Sequence, residues 1–357
     1  MGNGRRMIDF SKLNEQIAPP DTEAQKAAKK HWNSIAKPIG SLGLLEDAVT
    51  RIAGLTGSHS VNLKKRAVLV MCADNGVVTE GVSQTGQDVT AIVAGNMAKG
   101  DSSVCRMAAL ARADVIPVDI GMIKDAEGVL NRKIAKGTAD LALGPAMTDD
   151  QACDAIMTGI SLVKSLKHDG YNIIGVGEMG IGNTTTSSAI ISVLMDLSVD
   201  KATGRGAGLS DQGLKNKISA IQRGIAVNQP NKDDAFDVLC KLGGFDIAGL
   251  AGIFIGGAVF RIPIIIDGLI TAAAALVAAR LCPKCVCAML ASHMSSEPAA
   301  KPIFDELKLK PIIHAAMHLG EGTGAVCMLS LLDMALSVYN GMVSFDDIGV
   351  EQYKEMP

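Results

Sequence analysis

Residues 171–189 read YNIIGVGEMGIGNTTTSSA, and this stretch decides the fold. Tyr171–Val176 is a short, near-continuous apolar run, the pattern of a strand covered on both faces. It enters a turn holding Gly177, Gly180 and Gly182, then leaves through Asn183 and Thr184–Thr186 into a helical pattern. Glycine lets backbone N–H groups converge without a Cβ in the way. Asn and Thr supply caps and hydroxyls at a helix start. Strand, glycine turn and helix N-terminus together make an anion site, most naturally for a phosphate. No Lys-Ser/Thr follows at Walker spacing, which disfavours a nucleoside-triphosphate loop. Gly175, Gly177 and Gly180 match the dinucleotide spacing formally, and Asp196 lies 21 residues beyond Gly175. However, Asp196 sits in MDLSVD, a helix end, and Glu178 inside the loop would repel a pyrophosphate. A mononucleotide phosphate with its sugar near Glu178 fits better.

Working outward, the other strand candidates are RAVLVMCA (66–73), residues 114–118, IPIII (262–266) and VCAMLA (286–291). Helical patterns lie between them. Residues 22–36 and 41–57 also read as helices, the second starting after Pro38-Ile39-Gly40. This alternation predicts an α/β fold, a parallel sheet with helices on both faces. The five runs lead into Asp74, Asp119, Glu178, Asp267 and Ser292-His293. Four carboxylates and a Ser-His pair thus gather at the carboxyl edge of the sheet, where such folds bind ligands.

The 357-residue chain is 48% hydrophobic, enough for a large core, and carries a net charge of −3. With no basic stripe and only 3% aromatics, a nucleic-acid groove is not expected. The apolar region 247–281 is broken by Arg261, Pro263 and Asp267 into runs short of the roughly 20 residues that span a bilayer. No membrane partner is expected. The first residues, MGNGRRMIDF, lack the apolar core of a secretory signal, and position 6 lacks the Ser/Thr of a myristoylation start. Most of the eight cysteines sit in apolar runs, and the single CxxC of CPKCVC (282–287) is weak for zinc. Reduced thiols in a cytoplasm, with no metal, are the expectation.

Three further segments carry chemistry. LGEGTGA (319–325) sets one carboxylate, Glu321, among flexible glycines ahead of a long helix (326–339). A general base needs such a carboxylate presented into a partly apolar pocket. GRGAGLSDQGLKNKI (204–218) leads to Lys217, which alone reads as a solvated helix lysine. ASHMSSEP (291–298) offers Ser292, His293, Ser295 and Ser296; its histidine reads as a hydrogen-bonded structural group, and no GxSxG elbow supports a serine hydrolase.

Taken together, KPIGSLGLLE (37–46), VLVMCADNGVVTEGV (68–82), VGEMGIGNTTTSSA (176–189), NQPN (228–231), LGGFDIAGLAG (242–252), IPIIIDGLITAAAAL (262–276), SHMSSEP (292–298) and HLGEGTGA (318–325) resemble one family. It is the nicotinate-nucleotide:5,6-dimethylbenzimidazole phosphoribosyltransferases of cobalamin lower-ligand activation. The resemblance implies transfer of the phosphoribosyl group of nicotinate mononucleotide to a base, with inversion. It implies no resident cofactor or metal, since the nucleotide is a substrate. It also implies a homodimer, a Rossmann-like large domain (37–325) and a small helical domain built from both ends (1–36 and 326–357). Pairing with a homologous subunit is the alternative assembly.

The resemblance also implies site roles. Glu321 is the base, Glu178 stabilises charge on the ribose, and Lys217 is an active-site lysine. Gly177, Gly180, Ile181, Gly182, Asn183, Thr184 and Thr185 hold the phosphate. Asp267, Gly268, Ser292, Ser295 and Gly320 hold ribose and nicotinate. The acceptor pocket comprises Asp74, Asn75, Thr85, Gly86, Val93 and Leu319. Where the family has Asp-His-Gly, this chain has Asp74-Asn75-Gly76; where it has Ser-Pro, Thr85-Gly86; and Val93 stands near a family Gln. An apolar Val93 removes a polar contact to a bicyclic base, so a smaller or phenolic acceptor is a second expectation beside the benzimidazole type. A nicotinamide-dinucleotide oxidoreductase and a non-catalytic partner subunit are the competing readings.

Overall fold

The computed structural model describes residues 8–206 and 208–354. The N-terminal motif at residues 1–6 lies outside them. Among the described residues six strands form one parallel sheet: β1 (Arg66–Ala73), β2 (Asp114–Gly121), β3 (Leu130–Asn131), β4 (Ile173–Met179), β5 (Ile264–Ile266) and β6 (Met289–Ala291). Their order is β3-β2-β1-β4-β5-β6, so the winding reverses between β1 and β4. Such a switch point opens a crevice at the carboxyl ends of the two strands.

The apolar runs become strands because both faces of the sheet are covered. Every residue of β1 is buried, and successive side chains go to opposite faces. Ala67, Leu69, Met71 and Ala73 join one core cluster with helices Asp149–His168, Phe245–Val259 and Leu269–Leu281. Val68, Val70 and Cys72 join the other with helices Leu44–Thr56, Ser103–Ala111 and Thr323–Gly341. Helix Phe245–Val259 packs unusually close to helix Asp149–His168, because a Cβ on Gly252 would overlap the Ile156 carbonyl. That approach carries Asp246, the one charge in the helix, beneath the glycine turn.

The two chain ends pack together: the Trp32 and Tyr339 rings lie 4.7 Å apart, and Ile35 bridges Ser344. Arg66 on β1 grips Asp333 of helix Thr323–Gly341 through two bonds of 2.9 and 2.8 Å. Buried residues of both ends belong to the cluster of Val68, Val70 and Cys72, and the expected boundary at 325/326 falls inside that helix. It is the one helix among the described residues long and apolar enough to cross a membrane, but here it packs against β4 and β5.

Strand ends differ from expectation: β2 runs on to Gly121 and so holds Asp119, and β5 starts only at Ile264. β4 runs to Met179, so Gly177 and Glu178 are strand residues and not turn. The dinucleotide fingerprint is therefore not formed. Residues 286–288 belong to a 3₁₀ turn begun by Pro283, and β6 starts only at Met289.

Candidate active site

A cavity of about 290 Å³ opens where β4, β5 and β6 end. This is near the lower end of the range of about 300–1,000 Å³ for small-molecule sites. Glu178 and Glu321 both line it, with Gly180, Ile181, Asn183 and Thr184 on one side and Gly268, Ser295 and Gly320 on another. Val93 and Leu319 add apolar wall.

Glu178 is the last residue but one of β4 and is only 7% exposed. Asn183 donates to it through Nδ2, and the same amide reaches Asp246 Oδ2 at 3.0 Å. Burial pushes the Glu178 carboxyl up to about 8; the Asn183 bond opposes this, while Asp246, Asp267 and Glu321 add to it. Asp246 is likewise pushed up to about 6 by burial. The free site thus holds Glu178 protonated near pH 7.

Glu321 stands at φ +60 between Gly320 (φ +90) and Gly322 (φ +94), a left-handed run that glycine neighbours make accessible. Its Oε2 accepts from the Val104 N–H at 3.2 Å, in the first turn of helix Ser103–Ala111. That helix end carries positive partial charge and steadies a carboxylate. Gly177 makes room for this loop: a Cβ there would overlap the Glu321 carbonyl and Gly322 nitrogen. Gly177 therefore serves loop packing, not the phosphate.

The structure moves Asp267 as well. It was expected on the ribose, yet it is 1% exposed and lies behind the wall. Its Oδ1 accepts from Gly324 and Ala325 at 2.6 and 3.2 Å, and its Oδ2 from Gly322 at 3.1 Å. Three amides at a helix N-terminus have claimed the carboxylate, so Asp267 seats the loop that carries Glu321. Burial still raises its pKa to about 7 against those bonds. Ser292 is also buried behind the wall, its Oγ donating to the Asp267 main-chain oxygen at 3.2 Å.

The glycine turn leads into helix Asn183–Leu194, with Gly182 at φ +92. Lys217, expected as a family active-site lysine, is fully buried. Its Nζ donates to Thr184 Oγ1 at 2.8 Å and to the Gly204 carbonyl at 3.2 Å. Burial pulls it down to about 8, and Glu297 opposes that. A cation thus touches the turn through Thr184. Not every main-chain amide of the turn is open to a phosphate: Ile181 donates to Thr90 Oγ1 at 3.2 Å and Asn183 to Gly180 at 3.2 Å. Thr185 is fully buried in the core and does not line the cavity. A side cleft of about 90 Å³ beside residues 180–184 is lined by Arg205, a second cation near the turn.

Four of the six expected acceptor-pocket residues lie elsewhere. Asp74 and Asn75 are wholly buried at the switch point. Asp74 accepts from Ile123 at 2.7 Å, just past β2, and Asn75 Nδ2 donates to the Ile181 carbonyl at 3.3 Å, so Asn75 braces the turn from below. Thr85 and Gly86 are exposed and off the cavity wall. Asp119, grouped with the edge carboxylates, pairs with Lys133 at 2.9 Å and is also off the wall. Among the described residues no cluster of metal-ligating side chains forms, and Cys282 and Cys285 are buried thiols.

Sequence reasoning missed Asp246 and gave His293 only a structural role, though His293 lines the cavity. Asp246 had a signal: a lone charge opening an otherwise apolar helix.

A family model described as DBI_PRT, phosphoribosyltransferase, matches residues 17–350. This chain belongs to that phosphoribosyltransferase family. Among its relatives is a nicotinate-nucleotide–dimethylbenzimidazole phosphoribosyltransferase of Acetivibrio thermocellus, 48% identical over 93% of this chain and 95% of that one. One of the same name from Chloroflexus aggregans is 43% identical over 95% of this chain and 97% of that one. The crystal structure of CobT from Thermus thermophilus superposes with a TM-score of 0.86 at 34% identity, covering 93% of this chain and all of that one. The family places the fold and the enzyme class, and the competing oxidoreductase reading loses its support.

Proposed function

We propose that this phosphoribosyltransferase moves the phosphoribosyl group of nicotinate mononucleotide to a benzimidazole-type or phenolic base. The carrying observation is that two carboxylates, Glu178 and Glu321, share one small cavity with a helix-start turn touched by a buried lysine. The phosphate sits at the start of helix Asn183–Leu194, where helix dipole, Lys217 and Arg205 favour an anion. Remote binding then holds the anomeric carbon in the cavity.

The leaving pyridine departs neutral from a pyridinium, so it needs no acid. The C1′–N bond breaks, the acceptor forms the new bond from the opposite face, and the acceptor's proton passes to Glu321. The products are nicotinate, an α-riboside phosphate and one proton. Glu178 is protonated in the free site; the cationic pyridinium nucleotide lowers its pKa on binding, so its proton leaves to solvent before the C1′–N bond breaks. The carboxylate then stabilises the positive charge growing on the ribose, and the proton is taken up again when the products leave. No electron changes hands, so the chemistry calls for no redox cofactor. Val93 and Leu319 give the acceptor an apolar wall, which supports both acceptor classes.

A cytoplasmic setting is part of this reading, supported by eight unpaired cysteines. So is pairing with a second copy or a homologous chain. Its support is exposed apolar side chains on two packed helices, Leu110 (87%) and Met334 (63%). Incubation with nicotinate mononucleotide and a panel of azoles and phenols tests the reaction. Nicotinate release is expected, and Glu321→Ala is expected to lower it by about 100- to 10,000-fold while the fold persists. Full activity in that variant removes Glu321 from the mechanism.

A further inference from the structure

One polar side chain of the cavity has no part in the reaction so far. His293 follows β6, and its ring lines the cavity while only 3% exposed. Its Nδ1 lies 3.1 Å from Ser292 Oγ and 4.0 Å from Asp267 Oδ1. The Ser292 hydroxyl also lies 3.2 Å from the Asp267 main-chain oxygen, which can only accept, so both of its contacts are hydrogen bonds only when it donates to that oxygen. It can only accept at Nδ1, so Nδ1 carries the hydrogen and Nε2 keeps a bare lone pair. The neighbouring Asp267 carboxylate favours the same tautomer. Burial holds the imidazole below its ordinary pKa, so the ring is neutral at pH 7.

The two ring edges differ in surroundings. The Nδ1 edge packs on Gly324, where a Cβ would overlap it. The Nε2 edge faces Gly268, whose Cβ would stand 3.8 Å away, and Gly268 is on the cavity wall. Among the described residues no group donates to Nε2. His293 Nε2 is thus an acceptor on the cavity wall with no protein donor, a place where a bound ligand can bring one. At neutral pH the phosphate and carboxylate of nicotinate mononucleotide are acceptors, which a lone pair repels. Its O–H donors are the two ring hydroxyls of the ribose.

We infer that His293 Nε2 accepts a hydrogen bond from one ribose hydroxyl, so this imidazole, and not Asp267, reads the sugar. The inference rests on the phosphoribosyl reading above. It makes His293 a selector of ribose over deoxyribose donors.

The test compares nicotinate mononucleotide with its 2′-deoxy and 3′-deoxy forms in the parent enzyme and in His293→Ala. In the parent, one deoxy form loses about tenfold in kcat/KM, the size of a neutral hydrogen bond. In His293→Ala the same loss falls on the ribose substrate and that deoxy form loses nothing more. Undiminished discrimination in the variant overturns the inference. A second measurement needs neither a variant nor turnover. Imidazole ¹⁵N spectra of the whole protein should show His293 as the Nδ1–H tautomer. Ribose 5-phosphate should move its Nε2 resonance, and a deoxyribose 5-phosphate lacking the bonded hydroxyl should not. An Nε2–H tautomer, or equal shifts from ribose and both deoxyribose phosphates, refutes it. If the expected spectra appear but no acceptor releases nicotinate, the reaction reading fails and the sugar contact stands.

Discussion

Replacing Glu178 by Gln should make the protein more stable and less active, by amounts that depend on pH. Burial pushes this carboxyl up to about 8 from an ordinary 4.5. The folded value lies above the unfolded one, so folding takes up a proton. The native state is unpenalised below about pH 4.5 and loses stability as pH rises through 8. Each pH unit across that window costs about 1.4 kcal/mol. The cost is about 1 kcal/mol at pH 5, about 3 at pH 7 and about 4 at pH 8, where the folded group is half ionised and the curve begins to level. Gln carries no charge at any of these values and keeps an oxygen for Asn183. With an unfolding entropy of about 2.1 cal/mol/K per residue over this chain, 3 kcal/mol corresponds to a rise of about 4 °C in Tm at pH 7. Calorimetry at pH 5, 7 and 8 reads this directly. The gap between variant and parent should widen steadily with pH. Activity should fall about 100- to 1,000-fold, because Gln cannot offset charge on the ribose. A Tm gap that stays constant from pH 5 to 8, or reverses at pH 8, refutes the burial argument.

Other substitutions probe the supports. Asp267→Asn removes the charge and at least one of the three amide bonds, costing about 1–3 kcal/mol in stability. It should also lower kcat about 100-fold with little change in the nucleotide KM, because the Glu321 loop shifts; an unchanged kcat would show that the loop seats itself. Lys217→Ala should raise the nucleotide KM more than it lowers kcat. Burial pulls the Lys217 ammonium down to about 8, so kcat/KM of the parent should decline above about pH 8 as that charge is lost. The decline should vanish in the variant. Gly177→Ala should lower kcat about 100-fold while the sheet survives, since its Cβ overlaps the Glu321 carbonyl and not the core. Nicotinate release within twofold of the parent would show that the loop tolerates displacement.

How far the fold could be read from sequence follows the burial of each strand. RAVLVMCA was legible from end to end, because β1 is buried on both faces and a continuous apolar run has few other uses. β3 pairs over two residues, Leu130 and Asn131, too short for any pattern to register. β4 misled at its end: Gly177 and Glu178 look like turn, yet they pair in register with Val70 and Met71 of β1. The glycine is there because another backbone lies against it, and sequence offers no sign of that neighbour.

The same limit separates the parts of the site. The gathering of acidic residues at one sheet edge was visible, because each sits at or just past the carboxyl end of its own apolar run. Which carboxylate faces the substrate was not, because that depends on donors far along the chain. Asp267 is claimed by amides 55 to 58 residues away, and Glu321 reaches an amide 217 residues away. A carboxylate at a strand end therefore has two outcomes. Where a helix N-terminus supplies enough amides, as for Asp267, it becomes part of the scaffold. Where it has side-chain amide support and high burial, as for Glu178, it stays proton-bound until a cation arrives. The count of backbone donors around each group decides between scaffold and chemistry, and only the folded chain supplies that count.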